Sequence, residues 1–477
     1  MPPETYFDMS AFLDKAIAIG LVAIVIFSAL AFGSNEPWSV GLFEVVIIGL
    51  IFLWAIKLAA DKRLKIIVPA AALPVAGMVA LGLLQSIATI DSEGRIHSLS
   101  LDVEATRGAV TVLFFLLVSF IIAANFFAAR ERLITLANVL VIFGMAMSVF
   151  ALIQYFTWDG HIYWVRPTPY PSFGPFPNRN HFAGYMEMLT PVPLALVVAR
   201  GARKEAWLLY GFAATVMGMT IVVSLSRGGI VSLFAGIAFV VVMSARHEKK
   251  DRRRREDAVN NERSFVARRP SLTLKRIGLV AALLFAIALG VVWIGAEGVI
   301  NRAADSINEM KGGDPQSELF SRTEVWKDSL KMVRDYPITG VGLGAYQTVF
   351  PIYARHNGML VMNYAHNDYL QALTDGGIIG GLMALAFVAL ILRSVFRAMK
   401  SDDPMLRALA IAFGGGIFSI LVHSVFDFNL QIPSNALLFL FISAMVSHIA
   451  TTVDGRKPEG VVNRAASVNA GGYATGV

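Results

Sequence analysis

Cysteine is absent from the 477-residue chain, which excludes disulfides and thiolate-bound metal. A basic leader is missing as well: Glu4 and Asp8 stand where a cleavable signal peptide would carry positive charge, so none is expected. The glycine run Gly340-Val341-Gly342-Leu343-Gly344 has no strand before it and no βαβ unit around it. It reads as a tight turn returning the chain to the membrane, not as a nucleotide loop. The run Arg252-Arg253-Arg254-Arg255 lacks interleaved aromatics and a binding fold, so nucleic acid is not an expected partner. No internal repeat is visible, which disfavours a transporter built from paired halves.

Long apolar runs, by contrast, recur along the whole chain, which is 56% hydrophobic. Their length predicts membrane helices near 16–33, 38–58, 66–88, 109–128, 133–156 and 180–199, and again near 206–224, 229–245, 277–296, 377–396, 405–427 and 435–451. The expected fold is an all-α polytopic membrane protein of about twelve spans. Every second loop is basic: Lys57, Lys62, Arg63 and Lys65; Arg130 and Arg132; Arg200, Arg203 and Lys204; Arg393, Arg397, Lys400 and Arg407. The positive-inside rule places these loops, and both termini, in the cytoplasm. Loop 246–276 holds twelve basic and five acidic residues, a net of +7, which fits a topogenic or anionic-lipid contact. The chain then divides into nine spans over 1–296, an outward loop 297–376, three spans over 377–451 and a tail 452–477 whose Gly/Ala/Asn-rich composition predicts disorder.

Polar side chains gather on the outward side. The stretch Ala365-His366-Asn367-Asp368-Tyr369-Leu370-Gln371 places an imidazole, two amides and a carboxylate just before a glycine-rich start of a span. A titratable group at a membrane surface is a functional candidate, and histidine moves protons near neutral pH. His356 is a weaker candidate. Asn178, Arg179, Asn180 and His181 follow an aromatic, proline-rich loop and offer donors for an oxyanion or hydroxyl. The rings of that loop anchor at the interface or stack on sugars. Arg227, in Ser226-Arg227-Gly228, can hold a phosphate in a bidentate fork. Ser321-Arg322-Thr323-Glu324 reads as a capping box, so Arg322 would sit in a first helical turn, where anions bind. His423 and Asp427 share an i,i+4 face, as structural glue or as support for the site. The outward loops hold no compact Asp-x-Asp pair, so no metal and no cofactor is proposed.

In this order the motifs resemble the O-antigen ligase/polymerase superfamily of bacterial envelope glycosyltransferases, over roughly residues 170–440. The family pattern His-Asn, nine residues, Gly-x-x-Gly matches His366-Asn367 and Gly377-Ile378-Ile379-Gly380. Its Ser-Arg-Gly arginine matches Arg227, its outer-loop arginine matches Arg322, and its Asn-x-Asn element matches Asn178-Arg179-Asn180. The resemblance implies a GT-C-like helical fold in the bacterial inner membrane with a periplasmic site. It also implies transfer of a glycan from undecaprenyl diphosphate to a hydroxyl of lipid A-core, glycan or protein, as ligase, repeat-unit polymerase or protein O-oligosaccharyltransferase. Such an enzyme is expected to invert the anomeric centre and to need neither metal nor ATP. His366, Arg322 and Arg227 would be catalytic. Asn178, Arg179, Asn180, His181, Asn367, Asp368 and Tyr369 would contact substrate. The alternative from another class is a transporter or flippase for a lipid-linked glycan.

Overall fold

The computed structural model describes residues 8–61, 66–90, 96–127, 129–168, 172–199, 201, 203–260, 272–295, 322–354 and 362–454. Ser321, His356 and the tail beyond Asp454 lie outside the described residues, as do the side chains of His97 and of the run Arg252 to Arg255. Among the described residues ten α-helices precede the outer segment: α1 Met9–Leu30, α2 Pro37–Ala60, α3 Ala72–Gln85, α4 Val103–Phe126, α5 Arg130–Phe156, α6 Arg179–Leu189, α7 Pro191–Val198, α8 Trp207–Val223, α9 Arg227–Asn260 and α10 Leu272–Gly295. Five more are described, α11 Arg322–Asp335 and α12 Tyr346–Val349 within the outer segment, then α13 Asp368–Ala398, α14 Pro404–His423 and α15 Pro433–Asp454. The strands among the described residues form two short antiparallel pairs, β1 Ala88–Ile90 with β2 Ile96–Ser98 and β3 His161–Ile162 with β4 Arg166–Pro167.

The protein is an all-α polytopic membrane protein. Among the described residues nine helical stretches are long and apolar enough to cross a membrane, α6 and α7 together making one. Three shorter apolar helices, α3, α8 and Ala281–Val292 within α10, complete the twelve apolar runs. Burial ranks the spans: the α6–α7 stretch is wholly buried, with α15 at 83% and α14 at 78%, against 22% for α2 and α13. The central helices thus carry the polar groups that lipid would not tolerate.

Several helix ends differ from the sequence expectation, and three have a clear local cause or consequence. α9 runs on to Asn260, past 245, because nothing in that charged stretch breaks a helix. α14 stops at His423, short of Asp427. α13 begins at Asp368, not at the glycines, because the Asn367 side chain accepts from the N–H groups of Tyr369 and Leu370 (both 3.0 Å).

Those glycines mark a break inside α13. Gly377 has φ 59° and ψ −158°, a conformation essentially reserved for glycine. The freed backbone groups are met by the segment after α11. Ile378 and Ile379 donate to the carbonyls of Pro337 and Ile338, while Val341 and Gly342 donate to those of Thr374 and Asp375. The Gln85 amide donates to the carbonyls of Thr339 and Asp375 and accepts from Leu343 N–H. The glycine turn 340–344 is therefore a plug for a helix break, the condition on which irregular backbone survives in a membrane protein. Gly377→Ala should place Cβ against the Ile338 carbonyl oxygen. A loss of about 1–3 kcal/mol is expected, read as a lower melting temperature in detergent.

The two ends of the bundle differ in kind. At one, Asp14 pairs with Lys57 and Arg132, and Arg130 pairs with Asp403 at 2.6 Å. These bonds tie the start of α1, the end of α2, the start of α5 and the cap of α14. α14 then rises about 30 Å to the turn 424–432 at the other end. Against that turn packs a clasp of two strained loops. Phe32, Gly33 and Ser34 are left-handed in succession (φ 58°, 76° and 53°). Between β3 and β4, Tyr163 and Trp164 both have φ 56°, and Val165 N–H bonds the Ile162 carbonyl. This is the geometry of a type I′ turn, normally Asn-Gly, and each non-glycine residue in it costs about 1–2 kcal/mol.

Candidate active site

The site is built on turn 424–432, which joins α14 to α15, and on the start of α13 strapped across it. Asp368 N–H bonds the Ser424 carbonyl, and Asp368 Oδ2 accepts from Ser424 Oγ (2.8 Å) and Leu430 N–H (3.2 Å). The Asn367 amide donates to the Val425 carbonyl and Tyr369 O–H to that of Leu421. Asn367, Asp368 and Tyr369 therefore use their side chains to hold His366 in place.

His366 itself is left-handed, at φ 51°. Its neighbour Ala365 is pinned at both ends, donating N–H to Gln371 Oε1 (2.7 Å) and accepting from Trp326 Nε1 (3.0 Å). The surroundings over-determine the strained residue, the pattern that functional sites show.

The centre of the network is Asp427, fully buried. One oxygen, Oδ1, faces His366 Nδ1 (3.2 Å) and accepts from Phe428 N–H (2.9 Å). The other, Oδ2, accepts from Asn180 Nδ2 (2.7 Å) and Arg322 (3.1 Å). Burial pushes the Asp427 carboxyl up, but the His366 hydrogen bond, the Arg322 charge and the nearby His366 and His181 outweigh it. The carboxyl is held well below the usual carboxylate range. Its stabilising contribution is full above the ordinary carboxylate pKa and is lost only as pH falls through the depressed value. An ionised Asp427 makes Nδ1 the protonated nitrogen of neutral His366 and leaves the lone pair on Nε2.

Phe428 supports the same arrangement. The rings of His366 and His181 meet it edge-to-face at 4.8 and 4.9 Å, and Tyr364 lies over it at 4.6 Å.

The other expected residues divide by element. Asn178 caps α6, accepting from Asn180 N–H at 2.9 Å, and Arg179 is the first residue of that helix. His181 is buried, with Nε2 3.4 Å from Asn178 Nδ2. Arg227 opens α9 on the exposed side of a turn capped by Ser226, whose Oγ accepts from Gly229 N–H. A Cβ on Gly228 would lie 2.6 Å from the His423 ring, so this turn packs directly on the end of α14. Arg322 opens α11, half-exposed, with one nitrogen on Asp427.

The expected pairing of His423 with Asp427 is not found. α14 ends between them, and His423 Nδ1 lies 2.9 Å from Glu187 Oε2, with both residues buried. Glu187 was missed, although it is the sole acid in the apolar run 180–199 and an ionisable residue within a span signals function or pairing. Phe428 was missed too, and the supporting roles of Gln371 and Trp326 were not read; nothing in an apolar or amide side chain marks it as a support. Among the described residues, no cluster of three or more His, Cys, Asp or Glu has the disposition to hold a metal ion.

Chemically, the cluster offers a buried carboxylate orienting an imidazole, with one guanidinium in the same network and a second on the adjoining turn.

Residues 212–385 match the O-antigen ligase family. Arg227, Arg322 and His366 fall inside the matched segment; Asn180 and Asp427 fall outside it. No curated protein matches the chain. The match supports membership of the O-antigen ligase/polymerase superfamily, and with it a glycosyltransferase-type membrane enzyme.

Proposed function

We propose, for a chain whose residues 212–385 match O-antigen ligase, an inverting transfer of a glycan from undecaprenyl diphosphate to an acceptor hydroxyl at the periplasmic face of the bacterial inner membrane. The observation that carries this reading is the Asp427–His366 dyad. With Nδ1 committed to the carboxylate, Nε2 is the atom available to take a proton. The acceptor O–H gives its proton to Nε2 as its oxygen attacks the anomeric carbon of the donor sugar. The bond from that carbon to the diphosphate breaks, and the electron pair leaves with the lipid diphosphate. Attack opposite the leaving group inverts the centre.

Arg322 and Arg227 supply charge for the leaving group. A guanidinium has five N–H donors. The one Arg322 hydrogen bond to Asp427 therefore leaves donors for an anion. Both arginines open a helix, where backbone N–H groups add to the attraction for a phosphate. The leaving group is already activated, so the scheme requires no nucleotide. The basic residues Lys57, Arg130 and Arg132 lie at the end opposite the site, which supports a cytoplasmic placement of that end.

Deleting the gene and resolving the surface polysaccharide on a gel tests the reading. Bare core with accumulated lipid-linked polymer is expected for ligation. Single repeats still joined to core would assign polymerisation instead, and an unchanged surface would overturn both. In a purified system, Arg227→Ala and Arg322→Ala should each abolish or strongly reduce transfer, with Lys only partly restoring it. Wild-type turnover in both alanine variants would remove the diphosphate role.

A further inference from the structure

The clasp formed by residues 32–38 and 161–167 has features that the transfer step does not require. Its hairpin turn places Tyr163 and Trp164 at the two left-handed positions that Asn-Gly fills without strain. Four of the six left-handed non-glycine residues described lie here, at Phe32, Ser34, Tyr163 and Trp164; the other two, Leu225 and His366, flank the site. The Trp164 indole N–H is turned back to Thr157, at 3.0 Å from Oγ1, and Tyr163 O–H donates to the Leu30 carbonyl at 2.6 Å. A tryptophan that anchors a protein to a membrane keeps its N–H for headgroups and water. This one is fixed within the protein while the residue remains 44% exposed.

Beside it, Arg166 is paired with Glu36 at 2.5 Å and lies over the Phe32 ring at 4.6 Å. Both charged side chains are about one-third exposed. The clasp thus presents aromatic surface next to a fixed set of donors and acceptors. It also abuts the candidate active site. A Cβ on Gly33 would lie 2.9 Å from Phe176 and 3.3 Å from Ile432, the last residue of the turn that carries Asp427.

We propose that this clasp is a saccharide-binding platform, gripping sugar residues of the lipid-linked glycan beyond the one that reacts. A pyranose has an apolar C–H face and a rim of hydroxyls, matching aromatic surface flanked by an Arg–Glu pair. This deepens the glycosyltransferase reading and rests on it for the identity of the glycan.

The test compares wild type, Trp164→Gly and Trp164→Phe in nanodiscs. The probe is oligosaccharide freed by mild acid from the lipid-linked glycan that accumulates in cells lacking the protein. Affinity is read by calorimetry, contact by saturation-transfer NMR, and stability by thermal melting. Glycine relieves the left-handed strain but loses the Thr157 bond and the Phe150 ring contact, so Trp164→Gly should melt close to wild type, yet bind the oligosaccharide roughly tenfold more weakly. Donor KM should rise by a similar factor, the loss falling on KM rather than kcat. Phenylalanine should retain most of the affinity. Equal affinity in wild type and Trp164→Gly, or no binding by wild type, overturns the platform. A drop in melting temperature with unchanged affinity also overturns it and identifies the clasp as a membrane anchor. If no preparation transfers glycan but binding still depends on Trp164, the transferase reading fails and the platform stands.

Discussion

Replacing His366 by alanine is expected to slow transfer by roughly two to four orders of magnitude, the worth of a well-placed general base. The protein should still fold, because the straps that fix this stretch belong to Ala365, Asn367, Asp368 and Tyr369 rather than to the imidazole. It should still bind the lipid-linked donor, since Arg227 and Arg322 remain. The measurement is transfer from purified donor in nanodiscs, with donor binding followed separately. Near-normal transfer, or joint loss of binding and activity, would reassign His366 to donor binding or structure.

Asp427→Asn is expected to cost roughly 10³–10⁴ in transfer, as for a carboxylate that fixes the tautomer of a catalytic histidine. The reason lies in the neighbours. Asn180 Nδ2, the Arg322 guanidinium and Phe428 N–H all donate to this side chain, and His366 Nδ1 does so while Asp427 is ionised. An amide turns one acceptor into a donor. If its N–H₂ faces His366, Nδ1 must accept, and the proton moves to Nε2, where it blocks the base. If it faces Arg322, two donors oppose each other and the guanidinium loses its counter-charge. The double variant Asp427→Asn/His366→Ala should be little worse than His366→Ala alone, since the two residues act as a unit. Multiplying losses in that cycle would show that Asp427 works independently of His366.

The length of the apolar runs made the bundle readable, because span length is a local property of the chain. Each predicted run holds a helix, including the short α3 and α8. Helix ends were less legible. The sequence of α13 shows glycines, and glycines suggested a boundary; only the distant segment 337–344, bonding across Gly377, allows the helix to continue through it. For the site, the polar types were visible but their pairing was not. An i,i+4 spacing joined His423 to Asp427 on paper, yet the helix stops between them. Each acquires a partner more than sixty positions away or on another helix, Glu187 for His423 and His366 for Asp427. The Tyr163-Trp164 turn carries no Gly or Asn and so gives no turn signal. Tertiary packing around Phe32 and Phe150 holds it against local preference.

The four donors around Asp427 also set an order of assembly during synthesis. Asn180, Arg322 and His366 leave the ribosome first, and the anion that unites them arrives only with the turn after α14. Until the last pair of helices inserts, the nascent chain holds a guanidinium and an imidazole without their common carboxylate. The histidine has nothing to fix its tautomer, and the start of α13 lacks the Ser424 carbonyl that anchors it. On the proposed mechanism, catalytic competence would coincide with completion of the membrane domain, and a chain stalled before Asp427 would carry Arg227, Arg322 and His366 in an inert state.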